Sequence, residues 1–343
     1  MLVSGDITRD RSVKKTSWIR DDRPDPGLGC HGAPSPAGAR YIQGVPAVVN
    51  IDGKLVPPDE ARVSVFDRGF LYGDSVYEVI RTYAGRPFEL TAHLARLARS
   101  ALLIGLDLPW DGARTAAEVL RTLDAARGRD VDLPDAAAWN RGERTVRIVV
   151  TRGSGDLGLD PALAVAPTSM VIVHPLAGPP AAAYRDGVEA CVVGVERAAP
   201  TVADPGAKTG LHLPHVLAVR EARRRGAHEA LLTDGRGHVT EGASSNVFLV
   251  REGRVLTPHL GAGILEGITR GVVIRLAREL GVAVEEAALT VADLEGGAEL
   301  FITSTAREIL PVTRLGGRAV GTGRVGPVTG RLHEAFRRLA SRS

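Results

Sequence analysis

Lys208, Glu241, Arg96 and Thr269 are the residues of this chain whose types and settings could do chemistry together. Among the 43 lysines and arginines of its 343 residues only four are lysine: Lys14, Lys15, Lys54 and Lys208. An arginine-rich coding bias explains the scarcity, but not why lysine is kept at 208. A guanidinium stays charged, whereas an amine can lose its proton and attack a carbonyl. Lys14 and Lys15 fall in a polar N-terminal stretch and Lys54 follows an Asp-Gly turn. Lys208 alone sits where a chemically used amine is expected. Glu241 precedes Gly242-Ala243-Ser244-Ser245-Asn246 and an apolar strand; in isolation a Glu before Gly reads as a turn residue. Gly267-Ile268-Thr269 opens a predicted helix, so its amides and the Thr269 hydroxyl can face an anion, with a simple N-cap as the plainer role of Thr269. Arg96 belongs to His93-x-x-Arg96-x-x-x-Ser100, again on a predicted helix, where an arginine otherwise lies on a solvated face. His93 reads as structural, and the spacing of His212 and His215 does not argue for a metal.

The elements that must position these groups need a large core. A chain of 343 residues, 44% hydrophobic and 24% charged, is that of a globular protein of two domains. The net charge of +3 is spread over interleaved acids and bases, which argues against a nucleic-acid partner. The run Arg223-Arg224-Arg225 closes a predicted helix before Gly226, where the helix dipole favours cations. Two cysteines, Cys30 and Cys191, make neither a disulfide framework nor a metal pattern, and a reducing, cytoplasmic setting is expected. No stretch is long and apolar enough to suggest a membrane span or a signal peptide.

Residues 1–44, rich in Arg, Asp, Pro and Gly, read as a disordered tail. A small N-terminal domain is expected over 45–174, a linker over 175–187 and a larger domain over 188–343. The first opens with a hairpin across Ala47–Val56 turning at Asp52-Gly53. A second hairpin runs from Ser75 to Tyr83, turns at Ala84-Gly85-Arg86 and returns through Phe88-Glu89-Leu90. Helices capped by Thr91 and over Thr115–Ala126, a loop over Asp130–Arg141 and strands at Thr145–Thr151 and Ser169–His174 follow. In the second domain strands alternate with helices. Strands fall at Val188–Val195, Asn246–Arg251, Val282–Ala287, Glu299–Thr303 and Arg307–Pro311, and a hairpin spans Glu229–Val239, turning at Asp234-Gly235. Helices fall at Pro214–Arg225 and Thr269–Leu280. The class is α+β.

Four segments in this order make the chain resemble a known family. They are Asp67-Arg68-Gly69-Phe70-Leu71-Tyr72-Gly73-Asp74 through Arg81 with the His93–Ser100 pattern, Ala207-Lys208-Thr209, Thr240–Phe248, and Gly263–Arg270 with Thr303-Ser304-Thr305 beyond. The resemblance, over about residues 47–314, is to the class IV, or fold type IV, pyridoxal phosphate enzymes. These are the branched-chain and D-amino-acid aminotransferases and 4-amino-4-deoxychorismate lyase. It implies that Lys208 holds pyridoxal 5'-phosphate and shuttles a proton, and that Glu241 pairs with the pyridine nitrogen. Arg96, Ile268, Thr269, Ser304 and Thr305 would bind the phosphate and Leu265 would pack against the ring. Tyr77 would line the site near the substrate, though a buried strand tyrosine is an equal reading.

The function this implies is transfer of an amino group between an amino acid, branched-chain or otherwise apolar, and a 2-oxo acid, in a homodimer. Arg147 lies near where branched-chain enzymes carry an arginine, although the tyrosine expected two residues earlier is Thr145. Arg152-Gly153-Ser154-Gly155 resembles the lyase loop, which keeps aminodeoxychorismate cleavage as the alternative. It departs from the Arg-x-His pattern of D-amino-acid enzymes, so that specificity is disfavoured. A non-catalytic scaffold is the remaining reading, and retention of Lys208, Glu241, Arg96 and Thr269 argues against it.

Overall fold

The computed structural model describes residues 47–128, 140–194 and 206–342. The expected tail over 1–44 and all but the end of the loop expected over 130–141 lie outside these residues. The chain begins with β1 (Val48–Ile51) and β2 (Lys54–Val56), joined through Asp52 and Gly53 at φ 50° and 83°, the positive values an Asp-Gly turn supplies. Next come α1 (Arg68–Tyr72), β3 (Ser75–Tyr83), β4 (Arg86–Pro87), α2 (Leu90–Leu103) and α3 (Gly112–Ala125). They are followed by β5 (Arg144–Gly155), β6 (Ala164–Pro175), α4 (Ala181–Asp186) and β7 (Val188–Val193). Then follow α5 (Leu213–Arg224), β8 (Glu229–Thr233), β9 (His238–Gly242), β10 (Asn246–Arg251), β11 (Arg254–Pro258) and α6 (Ile268–Glu279). The last elements are β12 (Val284–Ala287), β13 (Leu289–Thr290), α7 (Val291–Glu295), β14 (Glu299–Ser304), β15 (Glu308–Leu315), β16 (Arg318–Ala319) and α8 (Pro327–Ala340).

These strands make two sheets. The first has six strands in the order β2-β1-β6-β5-β3-β4, and the second has ten, β12-β11-β10-β14-β15-β7-β8-β9-β13 with β16 on β15. In the first sheet Val76, Ile80, Val146, Ile148, Val171 and Val173 point to one face and bury against Leu97 and Ala101 of α2 and Val119 and Leu123 of α3. In the second, strand alternation sends Phe248, Val250 and Phe301 toward α6 and α8, and Val247, Leu249, Leu300 and Ile302 to the opposite face.

Several local expectations shift. The return strand after Tyr83 ends at Pro87, because Glu89 takes φ 53° and caps α2, so Thr91 lies inside the helix. The strands expected at 145–151 and 169–174 extend to twelve residues each, and Arg152–Gly155 is strand, not loop. That extension needs glycine: a Cβ on Gly153 would stand 1.6 Å from the Ala166 carbonyl oxygen. The 229–239 hairpin keeps its place, but its turn runs through Asp234 to Gly237 at φ 83°, with the Asp234 carboxylate accepting from the Arg236 and His238 amides. Within the expected linker, residues 181–186 form α4. Neither β11 nor α8 is among the elements expected from the sequence, although Leu332, Phe336 and Leu339 have helical spacing.

Candidate functional site

The site begins on one face of α2. His93, Arg96 and Ser100 are three and four residues apart, so they stack on that face, and all three are buried. The face meets Glu78 of β3, a fully buried carboxylate in the apolar stripe of Val76 and Ile80. Arg96 Nε and Nη2 donate to the two Glu78 oxygens at 2.6 and 2.7 Å, and His93 Nδ1 lies 2.7 Å from Oε2. Burial alone would raise the Glu78 pKa, but the Arg96 and His93 hydrogen bonds and charges bring it down to about 2. Arg96 Nη1 donates to the Glu266 carbonyl at 2.8 Å, which leaves two of the guanidinium's five N–H groups without a bond among the described residues.

Ser100 carries the chain to Lys208. Its hydroxyl accepts the Lys208 amide at 3.0 Å, and the Lys208 carbonyl accepts the Tyr77 amide at 3.0 Å. Thr209 bridges Val76, and the Gly210 amide donates to the Ser75 carbonyl, so residues 208–210 run alongside the start of β3. Gly210 permits that approach, since a Cβ there would lie 2.3 Å from Ser75 Oγ. The Lys208 Nζ then stands 4.4 Å from the centroid of the half-buried Tyr77 ring. Arg147 shares this face of the sheet, because it pairs with Val79 in register, and its Cζ is 4.9 Å from the same centroid. Among the described residues the Arg147 guanidinium makes no hydrogen bond or ion pair. His212 meets the Tyr77 ring edge-on at 4.8 Å, and burial, then the charges of Arg147 and Lys208, hold its pKa below the usual histidine value.

A third group forms around the loop ahead of α6. Glu241, at the end of β9 and 6% exposed, accepts the Leu265 amide at 2.9 Å. Asn246 Nδ2 donates to the Leu265 carbonyl at 2.9 Å, and Asn246 pairs with Thr303 across the sheet. This brings Ser304 and Thr305, in the β14–β15 turn, beside the same loop. Gly267 is the N-cap of α6 and offers no side-chain cap, so Thr269 is not the cap and its hydroxyl has no described partner. The first-turn amides of Ile268 and Thr269 are likewise unpaired among the described residues, a ready seat for an anion.

The structure thus brings Tyr77, Arg96, Arg147, Lys208, Glu241, Leu265, Ile268, Thr269, Ser304 and Thr305 into one connected region. Arg152 is directed elsewhere: it donates to Asp74 at 2.8 Å and to the Ile104 and Gly105 carbonyls after α2. Glu78, Asn246 and His212 are not among the site residues expected from the sequence. Glu78 had a signal, a lone carboxylate in an apolar strand stripe, which must be paired once buried.

The donor set fits pyridoxal phosphate: an amine, a buried carboxylate, and spare donors at a helix N-terminus and on Arg96. The comparisons agree. The family described as amino-transferase class IV matches residues 75–315. A putative branched-chain-amino-acid aminotransferase of Methanocaldococcus jannaschii is 41% identical over 86% of this chain and 96% of its own length. A D-alanine aminotransferase of Bacillus licheniformis is 33% identical over 84% of this chain and 95% of its own. Among solved structures, a T.th. branched-chain amino acid aminotransferase complexed with N-(5'-phosphopyridoxyl)-L-glutamate is 30% identical. It superposes with a TM-score of 0.76 over 86% of this chain and 94% of its own. The chain belongs to the class IV aminotransferase family. It is a transaminase that depends on pyridoxal 5'-phosphate.

Proposed function

We propose that the chain exchanges amino groups between branched-chain or other apolar amino acids and 2-oxo acids. The observation that carries this reading is the Arg147 guanidinium, unpaired among the described residues and set over Tyr77, ready for a substrate carboxylate beside an aromatic wall. The similarity to branched-chain enzymes supports it. The bound cofactor supplies a carbonyl that takes the amino group and a ring that accepts the electrons released at the substrate Cα. Lys208 would hold the cofactor and, once displaced by substrate, carry the Cα proton on its Nζ. Glu241, fixed by the Leu265 amide, would hold the proton of the ring nitrogen. Leu265 would pack against the ring. Arg96, the Ile268 and Thr269 amides, the Thr269 hydroxyl and the Ser304-Thr305 turn would hold the phosphate. Residues 45–174, 175–187 and 188–343 would serve as small domain, linker and larger domain.

A homodimer accords with the apolar surface of Phe66, Phe70 and Leu71 beside Leu211, Leu213, Val216 and Leu217, all exposed in the single chain. The two stretches adjoin, since a Cβ on Gly73 would lie 2.8 Å from Leu211 Cδ2. A cytoplasmic setting accords with Cys191, a buried free thiol, and among the described residues no helix is long and apolar enough to cross a membrane. The lyase reading loses its motive, because Arg152 is committed to Asp74 and the end of α2 and the relatives above are named as aminotransferases.

The deciding experiment is a half-reaction screen. L-leucine, L-valine, D-alanine and D-leucine are added separately to the purified enzyme, and conversion of the cofactor to pyridoxamine phosphate is followed by absorbance. Fast conversion by the apolar L-amino acids is expected. Conversion by D-alanine alone would move the assignment to the D-alanine enzymes.

A further inference from the structure

Arg307 lies in the β14–β15 turn and has no part in the chemistry so far, yet it touches two loops of the site at once. Its Nε donates to Ser304 Oγ at 2.9 Å, and its Nη2 donates to the Ser244 carbonyl and Oγ at 2.8 and 2.9 Å. Its Nη1 donates to Glu229, whose side chain is 1% exposed and which also accepts the Ser245 hydroxyl at 3.1 Å. Ser244 and Ser245 follow Glu241 in the β9–β10 turn, and Ser304 opens the turn that carries Thr305. The two turns are about sixty residues apart in sequence, and one planar guanidinium joins them. The β9–β10 turn is also packed tightly, since a Cβ on Gly242 would stand 2.1 Å from Ser245 Oγ and 3.3 Å from the Glu229 carboxyl carbon.

We infer that Arg307, held by buried Glu229, is a positioning residue that locks the Glu241 turn and the Ser304-Thr305 turn in the relative arrangement that binds the cofactor. The inference rests on the cofactor reading above. A lysine cannot replace it, because a single ammonium lacks the rigid fork that reaches Ser304, Ser244 and Glu229 together. A surface ion pair would do little here, but Glu229 is desolvated, so its partner is costly to remove.

The test titrates pyridoxal phosphate into apoprotein of the wild type, Arg307→Ala, Arg307→Lys and Ser244→Ala. Melting temperatures are recorded with and without cofactor. Arg307→Lys is expected to bind the cofactor about tenfold more weakly, the equivalent of one charge-assisted hydrogen bond, and Ser244→Ala about threefold more weakly. The rise in melting temperature that the cofactor confers should shrink with it. A merely structural role would lower apo and holo melting temperatures equally and leave affinity unmoved; affinities within about twofold of wild type in both variants would overturn the inference. Should Arg307→Ala fail to fold, the lysine and serine variants carry the result. Wild-type apoprotein that binds no cofactor would overturn the cofactor reading itself, and this inference with it.

Discussion

Glu78 and Glu308 are two fully buried carboxylates, each ringed by cations, and each has its pKa brought down to about 2 by those partners against the opposing effect of burial. Glu78 lies at the site and Glu308 beyond it. Glu308 accepts from the Tyr83 hydroxyl, Arg337 and His333, each at 2.9 Å, and pairs with Arg81 at 3.1 Å. It thereby ties β3 to β15 and α8. The partners converge inward: Arg81 also donates to Asn140 and to the Ala306 carbonyl. Arg96 serves Glu78 with two nitrogens and keeps donors unspent, as Arg81 keeps its buried Nε, but the helix of Arg96 also holds Lys208 through Ser100. A depressed pKa therefore does not mark the site. What sets the Glu78 side apart is its link, through α2 and Ser100, to the lysine proposed to react.

The sharpest way to break this comparison is Lys208→Ala. If chemistry belongs to the Glu78 side alone, turnover should fall by at least about 10⁴-fold, some 5.5 kcal/mol in barrier, while the fold persists. Borohydride reduction of the wild type followed by mass spectrometry should place the pyridoxyl group on the Lys208 peptide. An adduct on Lys54, the other lysine among the described residues, would place the chemistry elsewhere.

The next largest effect belongs to Glu308. Glu308→Gln leaves Arg81 and Arg337 without their buried counter-charge, which should cost about 3–5 kcal/mol of stability in denaturant unfolding. Cofactor affinity should stay within about twofold, whereas Glu78→Gln should weaken both. Equal losses of affinity in the two variants would erase the distinction. The acid limb offers an independent check. Both carboxyls fall from an unfolded value near 4.5 to about 2 when folded. Their stabilisation is complete above about pH 4.5 and is lost as pH falls toward 2, on the order of 3 kcal/mol for each. Unfolding midpoints measured across that window should fall less steeply for Glu308→Gln than for the wild type.

The candidate groups to which the sequence points are those whose proposed role follows from their own chemistry. Lysine at 208 can do what arginine cannot, and Glu241, Thr269 and Arg96 sit in short local patterns. The two-residue alternation of β3 and β10 and the helical spacing of α2 and α6 were equally local. Glu308 and Arg307 were not legible, because their meaning comes from partners far along the chain: 225 residues separate Glu308 from Tyr83, and 78 separate Arg307 from Glu229. Glu89 illustrates the same limit at short range. Its positive φ starts α2 two residues before the capping threonine that the sequence favoured, since docking of α2 on β3 fixes where the helix begins.

The smallest predicted effect is the most selective test of the contrast, because it should move affinity and nothing else. Thr269 is buried in the first turn of α6, Gly267 supplies no side-chain cap, and the threonine hydroxyl has no described partner to lose in the apoprotein. Thr269→Val keeps the shape and removes only the hydroxyl, so apoprotein stability should change by less than about 0.5 kcal/mol. With cofactor present the same change removes one neutral hydrogen bond while the helix amides remain. The expected loss is about 1 kcal/mol, roughly fivefold in affinity. Thr269→Ser keeps the donor and should restore most of that loss. A valine variant that destabilised the apoprotein while binding cofactor as tightly as wild type would return Thr269 to a packing role. It would also show that unpaired donors at this helix N-terminus are not what separates the Glu78 region from the Glu308 region.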